Sequence, residues 1–239
     1  MIKKIFETIE TEVRTLRGLI YYRFFGRPDS ESIVGEFNKL YYNYGVFGGT
    51  WKNTFWLGTR VRKYPTDLWV YQEIIFKLKP DVIIECGTGN GGSALFLASI
   101  FDLVDRGKVL TIDIKQDDGR PRHRRITYLT GSSTSDEIVK KVGSFVKKDH
   151  KVMVILDSDH HKEHVLKELR IYSKFVTKGS YLIVEDTNLN GHPVEVEFGP
   201  GPMEAVGDFL NERRDFVVDK EREKLYLTSN PRGYLRRVR

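Results

Sequence analysis

The sequence has little cysteine, no long apolar run and no repeated or low-complexity segment. Its single cysteine, Cys86, excludes an intramolecular disulfide bond and a zinc site that needs several cysteines. Its apolar runs are far shorter than the ~18 residues of a membrane-spanning helix. Glu7, Glu10 and Glu12 interrupt the segment where a secretory signal peptide has a neutral apolar core. We therefore predict a cytoplasmic protein in a reducing compartment, without a transmembrane segment.

The charge balance is moderately basic. The 239 residues include 39 Lys and Arg against 33 Asp and Glu, a formal net charge of +6. The basic residues crowd into 120–125 and 232–239, where they either attract an anionic partner such as RNA or form a solvated loop and chain end. No nucleic-acid-binding motif accompanies them, and the pattern places the nearby Tyr128 in a buried strand, where it could not stack on a base. We predict no nucleic-acid partner and keep an RNA-modifying protein as a minor alternative.

The first 65 residues differ from the rest of the chain. Apolar residues recur at helical spacing over residues 1–25, with basic residues on the polar face, which predicts an amphipathic helix. Such a helix packs on its own domain or on a second subunit, so we expect a homo-oligomer; peripheral contact with a membrane is the alternative. Residues 26–65 are rich in glycine and aromatics, and we expect them to cover the main domain. The predicted domains are 1–65, 66–230 and a basic tail, 231–239.

From residue 65 onward, helical and strand patterns alternate. A helix is predicted over 65–78, with Thr66 as its N-cap. The predicted strands are 81–86, 108–114, 126–129, 152–156 and 180–184, and the other helices are 92–104, 135–145, 162–176 and 202–213. Two last strands, 216–218 and 224–228, have a short connection that predicts an antiparallel hairpin. This pattern is typical of an α/β protein with a Rossmann-like, doubly wound, mostly parallel seven-stranded sheet.

The loop after the strand at 81–86 carries the sequence ECGTGNGG, residues 85–92. Its glycines match G-x-G-x-x-G, and Asp113, 21 residues after Gly92, is placed to accept hydrogen bonds from ribose hydroxyls. NAD and S-adenosylmethionine both fit these features. Glu85 favours S-adenosylmethionine, because a carboxylate beside the glycine turn attracts a sulfonium and an ammonium group and would repel a pyrophosphate. An NAD-dependent oxidoreductase remains the alternative.

The cofactor contacts that we predict come from this loop and from the ends of neighbouring strands. Ser132 and Ser133, after the strand at 126–129, are expected beside the adenine ring. The full set is Glu85, Gly87, Thr88, Gly89, Gly91, Ser93, Asp113, Ser132, Ser133 and Asp157.

Acidic residues lie at the carboxyl ends of four of the five predicted strands that precede the hairpin. They are Glu85, Asp113, Asp157 with Asp159, and Glu185 with Asp186. Functional groups in an open parallel sheet collect at the carboxyl ends of its strands, and such an oxygen-rich group suits Mg²⁺ or a similar cation. Without a cation the carboxylates would repel one another; the alternative is that they cap the helices that follow. His160 is a candidate general base that would take a proton from a substrate hydroxyl bound to the cation.

Three blocks, ECGTG, LDSDH and IVEDT, together with the upstream GGTWKNTFWLG, resemble the cephalosporin hydroxylase family over residues 40–215. That family has the class I methyltransferase fold and includes rhamnosyl O-methyltransferases. The resemblance implies an O-methyltransferase whose acceptor is a small hydroxylated molecule, with a sugar or glycoside favoured. A hydroxylase is not expected, because the sequence lacks the H-x-D…H spacing of an iron site.

The resemblance also implies site residues. Glu85, Gly87, Gly89 and Asp113 would bind S-adenosylmethionine. Glu185 and Asp186 would hold Mg²⁺ together with one aspartate of the preceding block, for which Asp159 is favoured and Asp157 is a close second. His160 and Asp159 are the predicted catalytic residues.

Overall fold

The computed structural model describes residues 2–25, 29–43 and 49–239. The chain divides into two compact units, residues 1–37 and 38–239. Helix α1 (Ile2–Phe25) agrees with the predicted amphipathic helix. Helix α2 (Ser30–Asn43) was not predicted, and the boundary between the units falls within it instead of at residue 65. Among the described residues, no helix is long and apolar enough to cross a membrane.

The second unit is built on a seven-stranded sheet. Its strands are β3 (Val82–Cys86), β4 (Lys108–Asp113), β5 (Ile126–Thr130), β6 (Val152–Leu156), β7 (Tyr181–Val184), β8 (Phe216–Val218) and β9 (Tyr234–Arg237). Their order is β5-β4-β3-β6-β7-β9-β8, and β3 to β7 are mutually parallel. The predicted α/β class and the mostly parallel sheet are confirmed. In the described part of the chain, two further strands, β1 (Phe55–Trp56) and β2 (Thr59–Arg60), form a separate small hairpin.

Helices cover both faces of this sheet. They are α3 (Pro65–Leu78), α4 (Gly92–Leu103), α5 (Asp136–Phe145), α6 (Lys162–Tyr172) and α7 (Pro202–Glu212). Alternate strand residues face opposite layers: Ile83 packs in the cluster of α3 and α4, whereas Ile84 packs in the cluster of α5, α6 and α7. Because both faces are covered, β3 and β6 are buried along their whole length. The doubly wound arrangement is therefore confirmed.

The last two strands, β8 and β9, are antiparallel as predicted, but the position of the last strand differs from its prediction. The last strand is β9, not residues 224–228, and it lies between β7 and β8, antiparallel to both. Residues 224–229 instead run along α3, where Lys224 pairs with Glu73 at 2.6 Å and the Ser229 N–H donates to Asp67 at 2.9 Å. The predicted basic tail over 231–239 is also wrong, because Tyr234 and Leu235 are fully buried inside the sheet.

The start of α3 differs in one detail. Pro65 is its first residue and Tyr64 occupies the N-cap position, so the predicted N-cap at Thr66 is wrong. The Thr66 hydroxyl donates instead to the carbonyl oxygen of Leu227 at 2.5 Å. It thereby helps to fix the C-terminal segment on α3.

Two glycines provide a matched test of the C-terminal topology. A Cβ on Gly233, just before β9, would lie 2.1 Å from the carbonyl oxygen of Val184 in β7, whereas a Cβ on Gly207 in α7 would meet nothing within 4 Å. We expect Gly233→Ala to lower the free energy of unfolding by about 1–3 kcal/mol through overpacking. Gly207→Ala should raise it by about 0.5–1 kcal/mol, because alanine is the better helix former. Urea unfolding followed by circular dichroism measures both; effects of the same sign would contradict this strand order.

Candidate active site

Two cavities of about 240 Å³ each adjoin at the carboxyl edge of the sheet. The serine cavity is lined by Gly87, Ile112, Asp113, Ile114, Gly131, Ser132, Ser133, Ser158, Asp159 and His164. The acid cavity is lined by Trp51, Arg60, Val61, Arg62, Gly87, Thr88, Gly89, Asn90, Ser93, Asp113, Asp157, Ser158, His160 and Asp186. Gly87, Asp113 and Ser158 belong to both linings. The two cavities therefore meet at the glycine loop.

The glycines of this loop serve close packing more than ligand contact. A Cβ on Gly87 would lie 1.8 Å from the carbonyl oxygen of Asp157, and one on Gly92 would lie 2.2 Å from that of Arg60. A Cβ on Gly91 would lie 2.9 Å from Pro121. Only at Gly89, among these four, would the added atom meet nothing within 4 Å. Gly89 is thus the position where a ligand can approach the backbone.

Glu85 does not line either cavity. Its side chain is fully buried, and its Oε2 accepts a hydrogen bond of 2.6 Å from the Thr111 hydroxyl, which lies 2.7 Å from the Thr88 hydroxyl. Burial raises the pKa of the Glu85 carboxyl, and the nearby Lys63 opposes that shift. The carboxylate therefore supports the glycine loop from below, through two threonines.

Asp113 lies at the end of β4 and lines both cavities. Its Oδ2 accepts from the Gly89 N–H at 2.9 Å and pairs with Arg120 at 3.0 Å. Arg120 also donates to the carbonyl oxygen of Gly89 at 3.0 Å, and its side chain is only 6% exposed. Arg120 therefore clamps the loop to Asp113. The sequence does not reveal this role, because Arg120 belongs to a run of basic residues for which an anionic partner or a solvated loop is expected.

His123, Arg124 and Arg125 of that basic run also pair with acidic residues of the protein. Arg124 and Arg125 contact Asp102 at 2.7 and 2.6 Å, and Arg125 reaches Asp105 at 3.1 Å. Tyr128 is half-buried, not buried as predicted, and its hydroxyl donates to the carbonyl oxygen of Pro121 at 2.7 Å. These pairings account for much of the local positive charge.

A buried lysine is the main feature that the sequence did not reveal. The Lys63 Nζ lies 2.6 Å from Asp157 Oδ2 and 2.6 Å from Glu185 Oε2, with its side chain 2% exposed. Burial lowers the pKa of the amine, but the two carboxylates outweigh this and raise it above its usual value. Tyr71 donates a further hydrogen bond of 2.8 Å to Glu185. Part of the positive charge that the acids require is therefore supplied by the protein itself, through Lys63.

Three side chains nevertheless form a possible cation site. Ligand atoms of Asp157, His160 and Asp186 all lie within 4.8 Å of one another, and His160 Nε2 is 3.2 Å from Asp186 Oδ2. Burial raises the pKa of the Asp186 carboxyl, whereas His160 lowers it. Asp186 has a left-handed φ of 54°, a conformation that costs a non-glycine residue about 1–3 kcal/mol and is concentrated at functional sites. Two carboxylates and an imidazole suit a divalent cation.

The other two predicted metal ligands lie outside this group. Asp159 Oδ1 accepts from the backbone N–H of His161, the N-cap residue of α6, and contacts its ring at 2.7 Å, but it does not cap the helix. Glu185 is buried beneath the acid cavity with Lys63 and Tyr71. Of the predicted ligands, the structure brings Asp186 together with Asp157, the second choice. The assignment of the ligands remains a prediction.

The fold agrees with that of known structures. Structures of CmcI, one of them apo and one with Mg and SAM, share the fold at TM-scores of 0.61 and 0.60 and 22% identity; each alignment covers 82% of this chain, and 80% and 81% of the respective CmcI chains. A putative caffeoyl-CoA O-methyltransferase from Staphylococcus aureus has a TM-score of 0.50 at 16% identity, over 84% of this chain and 90% of its own. The architecture is that of the class I methyltransferases.

Sequence comparison is more specific. The model of the family described as Rhamnosyl O-methyltransferase/CmcI matches residues 48–238. A rhamnosyl O-methyltransferase from Mycobacterium bovis (strain BCG / Pasteur 1173P2) is 40% identical over 219 residues, which cover 88% of this chain and 87% of the relative. One from Mycobacterium leprae (strain TN) is 37% identical over 236 residues, 96% of this chain and 98% of the relative.

The chain therefore belongs to the Rhamnosyl O-methyltransferase/CmcI family. The predicted resemblance is confirmed, and the protein is an O-methyltransferase. Neither comparison supports the alternative of an NAD-dependent oxidoreductase.

The buried lysine can be tested by its effect on stability. Lys63→Met would leave Asp157 and Glu185 without their cation, so we expect the free energy of unfolding to fall by about 3–5 kcal/mol. Lys162→Met is the matched control, because the Lys162–Asp208 pair is partly exposed and is worth about 0–1 kcal/mol. Guanidinium unfolding at pH 7 measures both variants. Equal, small effects would show that Lys63 is not the internal counter-ion of the site.

Proposed function

We propose that this O-methyltransferase transfers the methyl group of S-adenosylmethionine to a hydroxyl of a sugar or glycoside, with a divalent cation at the acid cavity. The observation that carries the proposal is the pair of adjoining cavities that share Gly87, Asp113 and Ser158. One suits a nucleoside, and the other contains carboxylates and an imidazole. A cofactor that spans both would present its sulfonium beside the acids.

The serine cavity suits the adenosine half of the cofactor. Ile112 and Ile114 supply apolar walls, while Ser132 and Ser133 supply hydroxyl groups. Asp113, between the two cavities, is placed to accept hydrogen bonds from the ribose hydroxyls. The methionine half would then extend past Gly89 into the acid cavity. The fold provides this arrangement in the crevice beyond the strand ends.

In this proposal Glu85 positions the loop and does not contact the cofactor. Its carboxylate reaches the loop through Thr111 and Thr88. The remaining residues of the predicted set contribute in two ways. Thr88, Gly89, Ser93 and Asp157 line the acid cavity, whereas Gly91 packs against Pro121 at the start of α4. Some residues of the glycine-loop motif would therefore contact the cofactor, and the others hold the loop in position.

The donor set at the acid cavity fits a hard or borderline divalent cation such as Mg²⁺. Asp186 would hold it, together with His160 and one aspartate of the loop after β6. When bound, the cation lowers the pKa of a substrate hydroxyl and orients its oxygen. In the set implied by the family, in which Asp159 and Glu185 hold the cation with Asp186, His160 would instead accept the hydroxyl proton. Alignment of oxygen and methyl group supplies much of the rate gain of such a displacement.

A groove beside the acid cavity suits the acceptor. Its volume is about 750 Å³, and it is lined by Lys39, Tyr42, Asn43, Gly49, Trp51, Lys52, Pro193, Glu195, Val196 and Glu197. Trp51 lines both the groove and the acid cavity and stacks on Tyr42, with ring centroids 5.3 Å apart. An aromatic surface flanked by carboxylates suits a sugar, which offers C–H groups to the ring and hydroxyls to the acids. The relatives' names specify a rhamnosyl acceptor.

Binding of the cofactor is the first test. A ligand at ~100 times its dissociation constant adds about 2.7 kcal/mol of stability, which raises Tm by about 5–10 °C in a domain of this size. We expect this shift with S-adenosylmethionine and not with NAD, and a weaker shift for Asp113→Ala. A shift with NAD alone would refute the proposal. Methyl transfer to a rhamnosyl glycoside, followed by mass spectrometry, then tests the reaction.

The cation is tested by titration calorimetry with Mg²⁺ alone. Asp186→Asn should weaken Mg²⁺ binding at least tenfold, because both candidate ligand sets contain Asp186; Asp208→Asn, at an exposed carboxylate outside both cavities, should not. A loss of Mg²⁺ affinity in Asp157→Asn supports the group of Asp157, His160 and Asp186. A loss of Mg²⁺ affinity in Asp159→Asn supports the set that the family implies, Asp159, Glu185 and Asp186. Unchanged affinity in Asp186→Asn would contradict both sets.

The acceptor groove is tested by steady-state kinetics. We expect Trp51→Ala to raise KM for a rhamnosyl acceptor by about fivefold, because a ring contact worth about 1 kcal/mol is lost. The dissociation constant for S-adenosylmethionine should change much less. Trp69→Ala, at an exposed position on α3, is the matched control. An unchanged acceptor KM in Trp51→Ala would place the acceptor elsewhere.

A further inference from the structure

We propose that His164 is a further cofactor-binding residue, which contacts the adenine ring in the serine cavity, and that Glu168 is a positioning residue that holds its imidazole in place. The proposal rests on the proposed function, since it requires the serine cavity to receive the adenosine group. Neither residue belongs to the glycine loop or to the acids at the strand ends.

The imidazole lies between two serines at the wall of the cavity. His164 Nε2 is 3.2 Å from the Ser158 hydroxyl and 3.4 Å from the Ser133 hydroxyl, and all three residues line the serine cavity. The His164 side chain is 27% exposed, so a ligand can reach it. His164 does not belong to the lining of the acid cavity. Its place is therefore suited to binding the nucleoside, not to proton transfer at the acceptor.

Glu168 fixes this ring from beneath. It lies one helical turn after His164 in α6, and its Oε1 is 3.3 Å from His164 Nε2 and accepts a hydrogen bond of 2.8 Å from Ser158. The hydrogen bond with Glu168 raises the pKa of His164. These contacts restrain both the ring and the serine beside it.

The burial of Glu168 is costly, which points to a function. Its side chain is fully buried, between Val165 and Leu169 of the apolar face of α6, and its Oε2 has no hydrogen-bond partner in the part of the chain that the structure describes. A buried carboxylate with an unpaired oxygen destabilises the fold. An apolar residue would satisfy the packing at this position. The carboxylate at this position contacts both the histidine and the serine.

The chemistry of the wall matches a purine. An imidazole offers a flat face and a second ring nitrogen, Nδ1, once Nε2 is engaged by its neighbours. Ile112 and Ile114 give the cavity an apolar side, and Ser132 and Ser133 a polar rim. A flat ring with donors and acceptors at its edge can use all three features. His164 thereby adds a flat wall to the cavity, which the two serines alone would not provide.

The test is calorimetric binding of S-adenosylhomocysteine, adenosine and Mg²⁺, each to the full-length protein. His164→Ala and Glu168→Gln should weaken the first two ligands by the same factor, about tenfold, because the lost contact is to the adenine that they share. The affinity for Mg²⁺ should not change, because these substitutions leave the acid cavity intact. Mg²⁺ binding thus controls for damage to the fold around Ser158, which would also disturb Asp157. His164→Asn serves as a second variant if His164→Ala does not fold.

His150→Ala is the matched control, because His150 lies at the opposite edge of the sheet, just before β6. It should leave all three affinities unchanged. Three results would overturn the inference alone: full adenosine affinity in His164→Ala, a loss of S-adenosylhomocysteine without a loss of adenosine, or full affinity in Glu168→Gln. A wild-type protein that binds neither nucleoside would overturn the proposed function as well.

Discussion

The amine of Lys63, enclosed between Asp157 and Glu185, holds the carboxyl edge of the sheet together. It joins three segments, since Lys63 precedes α3 whereas the two acids follow β6 and β7. Buried carboxylates need a partner, because an isolated charge in a low-dielectric interior is very costly. The lysine meets that need for two of the acids. Asp186 and His160 lie beside this group without contacting the lysine, and Asp157 belongs both to the ion pair and to the candidate cation site.

The second constraint is the crowding of backbones around the glycine loop. Gly87 lies against Asp157, Gly92 against Arg60 and Gly91 against Pro121. These contacts bring β2, β3, the loop after β4 and the loop after β6 together, and the two cavities form where these segments meet. Gly89 alone among the four opens onto free space. Three of the four glycines therefore fix the loop against neighbouring segments, and the fourth leaves its backbone open to a ligand.

Much of the fold could be predicted, because buried parallel strands are short apolar runs between turn residues, as at Val82–Cys86 and Val152–Leu156. The prediction failed at the end of the chain, where residues 224–228 have a local strand pattern and residues 231–239 were expected to form a basic tail. The first segment is instead bound by Asp67 and Glu73 of α3. Those partners lie more than 150 residues away in sequence. Local periodicity contains no information about them.

The sequence by itself determined the class of the protein: the spacing of Gly87, Gly89 and Gly92 and the acids after successive strands define the loop, the edge of the sheet and the family. Only the tertiary structure decided how those acids are used. Glu85 supports the loop, Glu185 is neutralised by Lys63, and Asp159 turns to His161. The physical reason is that the state of a buried charge depends on which opposite charge reaches it. Lys63 comes from a distant segment, and in a basic sequence it looks like any other lysine.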